Sequence, residues 1–244
     1  MKVAVILPAA GLGTRMGKSS AEKTGTSRKQ FMLLEGSPIL AHTVRKFAAL
    51  DSVSEIIVAV RAEDIEWVRS VIAAEFPRGR VRVVEGGNSR QQSVENALAA
   101  VEPDTDLVAV HDAVRPFIDL ETIQKVFEEA SAIGAAIVGV PAVDTVKQVT
   151  RGTGHVKIRA TLPREKLVMA QTPQVFRYDL LSRAFRAARE DGFAGTDESS
   201  LVERLDVEVA VVPGSDRNIK ITKPGDMHLA NLFLREEAAK ETRS

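Results

Sequence analysis

A glycine-rich turn followed by a basic loop is the first feature of this sequence that suits chemistry. Residues 8–17 read PAAGLGTRMG and follow a short apolar run. Glycines in such a turn let backbone N–H groups approach an anion with no Cβ in the way. Between residues 15 and 29 five cations stand against one anion, Glu22; the cations are Arg15, Lys18, Lys23, Arg28 and Lys29. Such a loop can neutralise the charge of a polyphosphate leaving group. The alternatives are that the glycine-rich segment is only a tight turn and that the basic loop is only a solvated charged face.

Two common phosphate-binding motifs nearly fit this turn, but neither is complete. A P-loop needs four residues between its first Gly and the Gly-Lys-Ser/Thr segment. Here five residues separate Gly11 from Gly17, and three separate Gly13 from Gly17. A dinucleotide-binding turn needs a third Gly at the position that Met16 occupies. The turn therefore belongs to neither class.

Composition excludes several other kinds of protein. The 244 residues carry 33 basic and 33 acidic side chains, and 44% of them are hydrophobic. This balance excludes a disordered chain, a collagen-like fibre and a nucleic-acid-coating protein, and the few aromatic residues argue against stacked bases. Cysteine is absent, which excludes disulfides and thiolate catalysis and suits a cytoplasmic location. The uncharged run from Val3 to Thr14 is too short to span a membrane. From this and from the balanced charge, we expect neither a membrane nor a nucleic acid as a partner.

The scaffold is predicted by short β-branched runs that alternate with amphipathic stretches. This rhythm is typical of an α/β fold with a mostly parallel sheet and helices on both faces, in which ligands bind at the carboxyl ends of the strands. The predicted strands are Val3–Leu7, Glu55–Arg61, Val81–Glu85, Asp106–His111, Ala135–Val140, Leu167–Ala170, Val207–Val212 and Asn218–Thr222. The predicted helices are Ile39–Phe47, Glu63–Glu75, Ser89–Val101, Leu120–Ala132, Asp179–Asp191 and Pro224–Ala238. We expect residues 1–244 to form a single domain.

Residues 143–161 interrupt this rhythm. They are rich in Val and Thr, alternate in polarity and contain Gly152 and Gly154, which predicts a projecting β-hairpin. Its two polar faces suggest that it needs a partner, such as a second subunit; an exposed edge hairpin is the alternative. The four histidines have no metal-binding spacing, and we interpret His111 as a packing residue at the end of a strand.

Nine segments, in order along nearly the whole chain, resemble one family. They are PAAGLGTRMG at 8–17, RKQF at 28–31, VEGGNSRQQSV at 84–94, HDAVRP at 111–116, DTVK at 144–147, TLPREKL at 161–167, AQTPQVF at 170–176, TDESS at 196–200 and DRNIKIT at 216–222. The set is similar to that of the 2-C-methyl-D-erythritol 4-phosphate cytidylyltransferases of non-mevalonate isoprenoid synthesis. The resemblance implies a Rossmann-like nucleotidyltransferase fold and cytidylyl transfer from CTP to methylerythritol 4-phosphate with Mg²⁺. It also implies a homodimer joined through the 143–161 arm.

The resemblance also implies roles for particular residues. Arg15 and Lys29 match the cations that stabilise the transition state, and Asp112 matches the carboxylate that binds Mg²⁺. The implied CTP-binding residues are Ala9, Ala10, Gly11, Gly13, Gly86, Gly87, Asn88, Ser93, Asp112 and Ala113. The implied residues for the polyol phosphate are Arg115, Thr145, Arg164, Thr172, Thr196, Asp216 and Lys220. Of these, Thr145 and Arg164 are expected in the neighbouring subunit's site.

Alternatives remain at this point. The loop from Arg15 to Lys29 is longer than is usual in the family, so Lys18 or Lys23 could take the cationic role. Asp112 could instead cap a helix or form a salt bridge with Arg115, and residues 86–89 could be a β-turn and N-cap. The alternative functions are a ribitol 5-phosphate cytidylyltransferase, a transferase that uses another nucleotide, and a non-catalytic nucleotide sensor.

Overall fold

The structure is a computed structural model that describes residues 1–11, 28–151 and 154–241. Its strands are β1 (Val3–Pro8), β2 (Leu33–Leu34), β3 (Ser37–Pro38), β4 (Val53–Val60), β5 (Val81–Glu85), β6 (Leu107–Val110), β7 (Ala135–Pro141), β8 (Val146–Arg151), β9 (Val156–Leu162), β10 (Val168–Arg177) and β11 (Ala210–Pro213). Its α-helices are α1 (Ile39–Ala48), α2 (Ile65–Val71), α3 (Arg90–Leu98), α4 (Leu120–Ile133), α5 (Tyr178–Glu190), α6 (Glu198–Glu203) and α7 (Pro224–Glu241).

A seven-stranded sheet in the order β11-β7-β10-β6-β1-β4-β5 is the centre of the described structure. The pairs β1–β4, β1–β6, β4–β5 and β7–β11 are parallel, whereas β10 runs antiparallel to both of its neighbours. The predicted α/β fold with a mostly parallel sheet is confirmed. Because β1, β4, β5 and β6 are parallel, the segments that follow them meet at one edge of the sheet.

The alternation of side chains along β1 explains how the helices cover both faces. Val3, Val5 and Leu7 point to one face, where α1, α2 and α4 pack, and Ala4 and Ile6 point to the other, where α3, α5 and α6 pack. All five side chains are fully buried, as expected for a strand in a sheet with helices on both sides. This packing makes the sheet a rigid support for the segments at its edge.

The hairpin formed by β8 and β9 is a separate two-stranded antiparallel sheet. It connects β7 to β10 where a parallel sheet would need a crossover helix, which is why β10 returns antiparallel to β7. The pairing of β10 with β7 is irregular between Ala170 and Gln174. Thr172 lies in this irregular stretch, beside the residues that follow β6, where its hydroxyl accepts from the N–H of Asp112.

Two sequence-based predictions of elements are wrong. Asn218–Thr222 alternates in polarity but is an irregular segment, because its backbone N–H groups bond within turns, to the Asp226 side chain and to the carbonyl of Val114 instead of to a neighbouring strand. Glu63–Glu75 is not one helix, since 3₁₀ turns at Ala62–Asp64 and Ala73–Glu75 flank the short α2. The helix α6 was not predicted; it begins at a capping box formed by Asp197 and Ser200.

Candidate active site

A cleft of about 420 Å³ lies at the edge of the sheet where β1, β4, β5 and β6 end. The predicted residues that line it are Ala9, Ala10, Gly11, Lys29, Gly87, Asn88, Ser93, Asp112, Ala113 and Lys220. These residues come from five segments distant in the sequence, of which three directly follow the parallel strands β1, β5 and β6. Gly13 and Arg15 lie outside the described residues.

Gln30 bridges Ala9 and Gly11 in the turn that follows β1. Its amide donates hydrogen bonds to the carbonyl oxygens of Ala9 (2.5 Å) and Gly11 (3.2 Å), and the side chain is buried. The neighbouring Lys29 is thereby held at the cleft, facing the turn after β1. The sequence motif KQF contained this residue, but its role was not predicted.

The segment after β5 is held by close backbone contacts. A Cβ at Gly86 would lie 2.7 Å from the Cβ of Ala10, and one at Gly87 would lie 2.2 Å from Cγ of Gln92, so both positions require glycine. The Ser93 hydroxyl accepts from the N–H of Gly87 (3.0 Å) and donates to the carbonyl of Ser89 (2.8 Å). Ser89 also caps α3 through Gln92, so the predicted N-cap is confirmed and the turn is rigidly shaped.

Asp112 is the electrostatic centre of the cleft. Among the described side chains, three cations surround its buried carboxylate: Lys220 Nζ at 2.9 Å, Arg115 Nε at 3.1 Å and Arg90 Nε at 3.6 Å. Burial by itself raises the pKa of Asp112, but Lys220, Arg90 and Arg115 together hold it well below its usual range. The carboxylate is therefore charged at any physiological pH, and the salt bridge with Arg115 that we weighed as an alternative is present.

The ion pair between Arg90 and the buried Glu198 was missed by the sequence reasoning. The guanidinium donates two hydrogen bonds to the Glu198 carboxylate, at 2.7 and 2.9 Å. Burial raises the pKa of Glu198, and the charge of Arg90 opposes that rise. Both residues stand inside motifs that resemble the family, RQQS and TDESS, which is the only sequence signal for them. The pair connects the start of α3 to the start of α6.

His111 packs at the end of β6, as the sequence indicated. It is fully buried, and its ring meets that of Phe47 nearly edge-on with 4.9 Å between centroids. Burial lowers the pKa of His111 to about 4, so the imidazole is neutral at physiological pH.

The residues predicted for the polyol phosphate fall into two groups. Arg115, Thr172 and Lys220 surround Asp112: the N–H of Asp112 donates to the Thr172 hydroxyl at 3.0 Å, and Arg115 also donates to the carbonyl of Asn218 at 2.6 Å. Thr145, Arg164, Thr196 and Asp216 are exposed. Arg164 donates to the carbonyl of Val143 at 2.6 Å, at the base of the hairpin, and Thr196 immediately precedes the N-cap of α6.

Asp112 is the carboxylate that the resemblance assigns to Mg²⁺. The described residues contain no cluster of three or more metal-ligating side chains. Mg²⁺ commonly takes one or two carboxylates and completes its shell with substrate phosphates and water. Oδ1 of Asp112 lies 3.6 Å from Arg90 Nε, the longest of the three ion-pair distances, so this is the carboxylate oxygen that a magnesium ion carried by a phosphate-bearing substrate could reach.

Comparison with known proteins gives a consistent result. A family model described as 2-C-methyl-D-erythritol 4-phosphate cytidylyltransferase matches residues 3–236. A protein of that name from Solibacter usitatus is 80% identical over 244 residues, covering 100% of both chains. One from Acidobacterium capsulatum is 56% identical over 98% of this chain and 100% of its own.

Solved structures show the same similarity. The crystal structure of 2-C-methyl-D-erythritol 4-phosphate cytidylyltransferase from Thermus thermophilus superposes with a TM-score of 0.75 at 33% identity, covering 96% of this chain and 100% of the other. The 4-diphosphocytidyl-2C-methyl-D-erythritol synthase from Anaerococcus prevotii superposes with a TM-score of 0.82 at 28% identity, covering 96% of each chain. Within residues 1–11, 28–151 and 154–241, no helix is long and apolar enough to cross a membrane.

Proposed function

The chain belongs to the 2-C-methyl-D-erythritol 4-phosphate cytidylyltransferase family, and on that premise we propose how its cleft carries out the reaction. The enzyme transfers the cytidylyl group of CTP to 2-C-methyl-D-erythritol 4-phosphate and releases pyrophosphate. The product, 4-diphosphocytidyl-2-C-methyl-D-erythritol, belongs to non-mevalonate isoprenoid biosynthesis. The observation that supports the assignment of residues is Asp112 among three cations, in a cleft that also contains the turn after β1.

The reaction needs charge neutralisation and alignment more than it needs a base. A phosphate oxygen of methylerythritol 4-phosphate attacks the α-phosphorus of CTP, and the bond to the pyrophosphate oxygen breaks. That oxygen is already anionic at neutral pH, so no side chain has to remove a proton from it. The chain's task is to hold two polyanions in line and to stabilise the charge that develops on the leaving group. Arg15 and Lys29 are the proposed cations for this charge.

CTP recognition is assigned to the two glycine-containing segments. The backbone of Ala9, Ala10 and Gly11 borders the cleft beside Lys29 and is proposed to contact the ribose and phosphates, together with Gly13. Gly86, Gly87, Asn88 and Ser93 are proposed to read the cytosine edge. This role is supported by the close packing that orients their backbone groups, because fixed donors and acceptors discriminate between bases better than mobile ones.

A magnesium ion bound with CTP would supply further charge neutralisation at the phosphates, and Asp112 is the carboxylate proposed to hold it. Its permanently charged state supports that role. Ala113, next to it in the cleft, is proposed to pack near the ribose. Lys220 lies 2.9 Å from Asp112 and its side chain is 36% exposed, so it can turn towards an incoming phosphate. We propose that Lys220 and Arg115 bind the polyol phosphate.

A homodimer is proposed to complete the second substrate's site. The hairpin carries the exposed apolar side chains Val143, Val156 and Ile158, which an isolated chain would leave in water. Thr145 and Arg164 flank the hairpin. Among the described residues, neither forms a hydrogen bond or ion pair with Asp112. A partner that buries the hairpin could place these two residues in its own cleft. A cytoplasmic location stays a prediction from the sequence.

Pyrophosphate release tests the proposal directly. The purified protein with Mg²⁺ is given each nucleoside triphosphate, paired first with methylerythritol 4-phosphate and then with ribitol 5-phosphate. We expect release only with CTP and methylerythritol 4-phosphate. Release with ribitol 5-phosphate instead would keep the mechanism and contradict the acceptor. Binding of CTP without release for any pair would favour a nucleotide sensor and contradict the proposal.

A further inference from the structure

His111 lies behind the cleft, yet both of its ring nitrogens contact segments that build the cleft. Its Nδ1 is 3.1 Å from the hydroxyl oxygen of Thr172, and its Nε2 is 2.9 Å from the carbonyl oxygen of Arg115. The side chain is fully buried and that of Thr172 nearly so. Water therefore does not compete for these bonds, and each partner's donor or acceptor role has to be met inside the protein.

The partners determine which atom carries each proton. A carbonyl oxygen only accepts, so Nε2 of His111 carries the hydrogen and donates it to Arg115. In the neutral ring Nδ1 is then an acceptor, and the Thr172 hydroxyl donates to it. The same hydroxyl oxygen accepts from the backbone N–H of Asp112 at 3.0 Å. One directed chain of hydrogen bonds thus runs from the Asp112 N–H through Thr172 and His111 to the Arg115 carbonyl.

This chain closes the turn that carries Asp112 and Arg115. On its other side, the N–H of Arg115 donates to the carbonyl of Asp112 at 3.0 Å, and the two side chains form the 3.1 Å ion pair. Asn218 adds a second link to the turn. Its side-chain amide donates to the backbone carbonyl of Thr172 at 2.9 Å, and its own backbone carbonyl accepts from the Arg115 guanidinium. The turn is therefore held by β10 and by the loop before Lys220 at the same time.

We propose that His111, as the neutral Nε2–H tautomer, is a positioning residue that sets the orientation of Asp112 and Arg115 through Thr172. This inference deepens the proposed function and rests on it for the consequence in catalysis. It also assigns a different part to Thr172. Because its proton is committed to His111, its hydroxyl has only a lone pair left and cannot donate to the substrate's phosphate. Arg115 and Lys220 remain the donors to that phosphate.

Paired variants test the chain. His111→Phe keeps a flat ring without the bonds, Thr172→Val removes the hydroxyl at nearly constant shape, and Thr172→Ser restores it. His228→Phe, at an exposed site on α7, is the matched control. We expect kcat for CTP and methylerythritol 4-phosphate to fall about 10- to 100-fold in His111→Phe and Thr172→Val, and to stay near normal in Thr172→Ser and His228→Phe. The double variant should be no worse than either single one, because both interrupt one chain.

Two measurements that do not use activity separate this proposal from the proposed function. Long-range ¹H–¹⁵N spectra of the histidines, assigned with His111→Phe, should show His111 protonated at Nε2. Hydrogen exchange at the Asp112 amide should accelerate in His111→Phe and Thr172→Val while the Ala109 amide stays protected. His111→Gln replaces His111→Phe if the latter does not fold. An Nδ1–H tautomer, unchanged exchange at Asp112, or additive losses of kcat would overturn the proposal. A wild-type protein that is inactive but shows the expected spectra would contradict only the proposed function.

Discussion

The guanidinium of Arg90 and the carboxylate of Glu198 form two hydrogen bonds, at 2.7 and 2.9 Å, although the residues stand 108 positions apart. Glu198 is 1% exposed, so its charge has to be balanced by a partner inside the protein. Arg90 also faces Asp112 at 3.6 Å. The pair therefore links the segment proposed to bind cytosine, the central carboxylate and the start of α6.

Glu198→Gln should weaken both the stability of the protein and its affinity for CTP. The substitution keeps the shape but removes the charge and one acceptor from the buried side of the pair. We expect the free energy of unfolding to fall by about 2 kcal/mol, the range for hydrogen bonds to charged groups, and the KM for CTP to rise because Arg90 loses its orientation. Urea unfolding and steady-state kinetics measure the two effects. Glu95→Gln is the control, because its partner Arg189 is 67% exposed, and it should cost less than about 1 kcal/mol. Equal losses in the two variants would contradict the argument.

Arg15 and Lys29 should be the loop cations on which the chemical step depends. Replacing either with Gln removes a positive charge that is proposed to face the leaving pyrophosphate. We expect kcat to fall on the order of 100- to 1000-fold, equivalent to roughly 3–4 kcal/mol, with normal thermal unfolding. Lys18→Gln and Lys23→Gln are matched controls in the same loop. A larger loss in either control than in Lys29→Gln would transfer the role to that lysine.

Mixed dimers should reveal whether the hairpin serves a neighbouring site. Lys220→Met disables the cleft of its own subunit, and Arg164→Met disables the contribution of the hairpin. Each pure variant should be nearly inactive, whereas unfolding and refolding them together should restore about a quarter of normal activity, because half of the dimers are mixed and have one intact site. Ile158→Asp, at an exposed hairpin position, should elute as a monomer in size-exclusion chromatography. That monomer should be inactive in the pyrophosphate-release assay. Mixed dimers without recovered activity, or a fully active monomer, would refute the shared site.

Acid should destabilise the protein over the pH range between the folded and unfolded pKa values of His111. The pKa of His111 is about 4 in the folded chain and about 6.5 when unfolded, so below pH 6.5 the unfolded state binds more protons. The resulting stability is present above pH 6.5 and is lost as the pH falls towards 4, with a slope of up to about 1.4 kcal/mol per pH unit from this group. Burial lowers the pKa of His42 as well, which adds to the trend.

Urea unfolding at a series of pH values measures this slope. His111→Phe should flatten it between pH 6.5 and 4, whereas His155→Phe, at an exposed position, should leave it unchanged. An equal slope in all three proteins would show that His111 does not cause it.

Short-range patterns in the sequence were sufficient for much of the fold. The β-branched runs and the 3.6-residue periodicity predicted the order of strands and helices, and the glycine-rich segments predicted where the cleft would lie. These signals are local, because a strand or an amphipathic helix is visible within about ten residues. The segment 218–222 shows the limit: its alternation suits a strand, yet it also suits an irregular segment in which Lys220 faces the cleft and Ile221 is buried.

The sequence by itself therefore determined the α/β class, the positions of the glycine-rich turns and, through its resemblance to one family, the chemistry. Only the tertiary structure decided that β10 runs antiparallel, that Arg90 pairs with Glu198, and that His111 and Thr172 together hold Asp112. The physical reason is that hydrogen bonds and ion pairs between distant segments depend on which strands become neighbours. Several partners in the sequence have the right chemistry, and the order of the sheet selects the one that lies within about 3 Å.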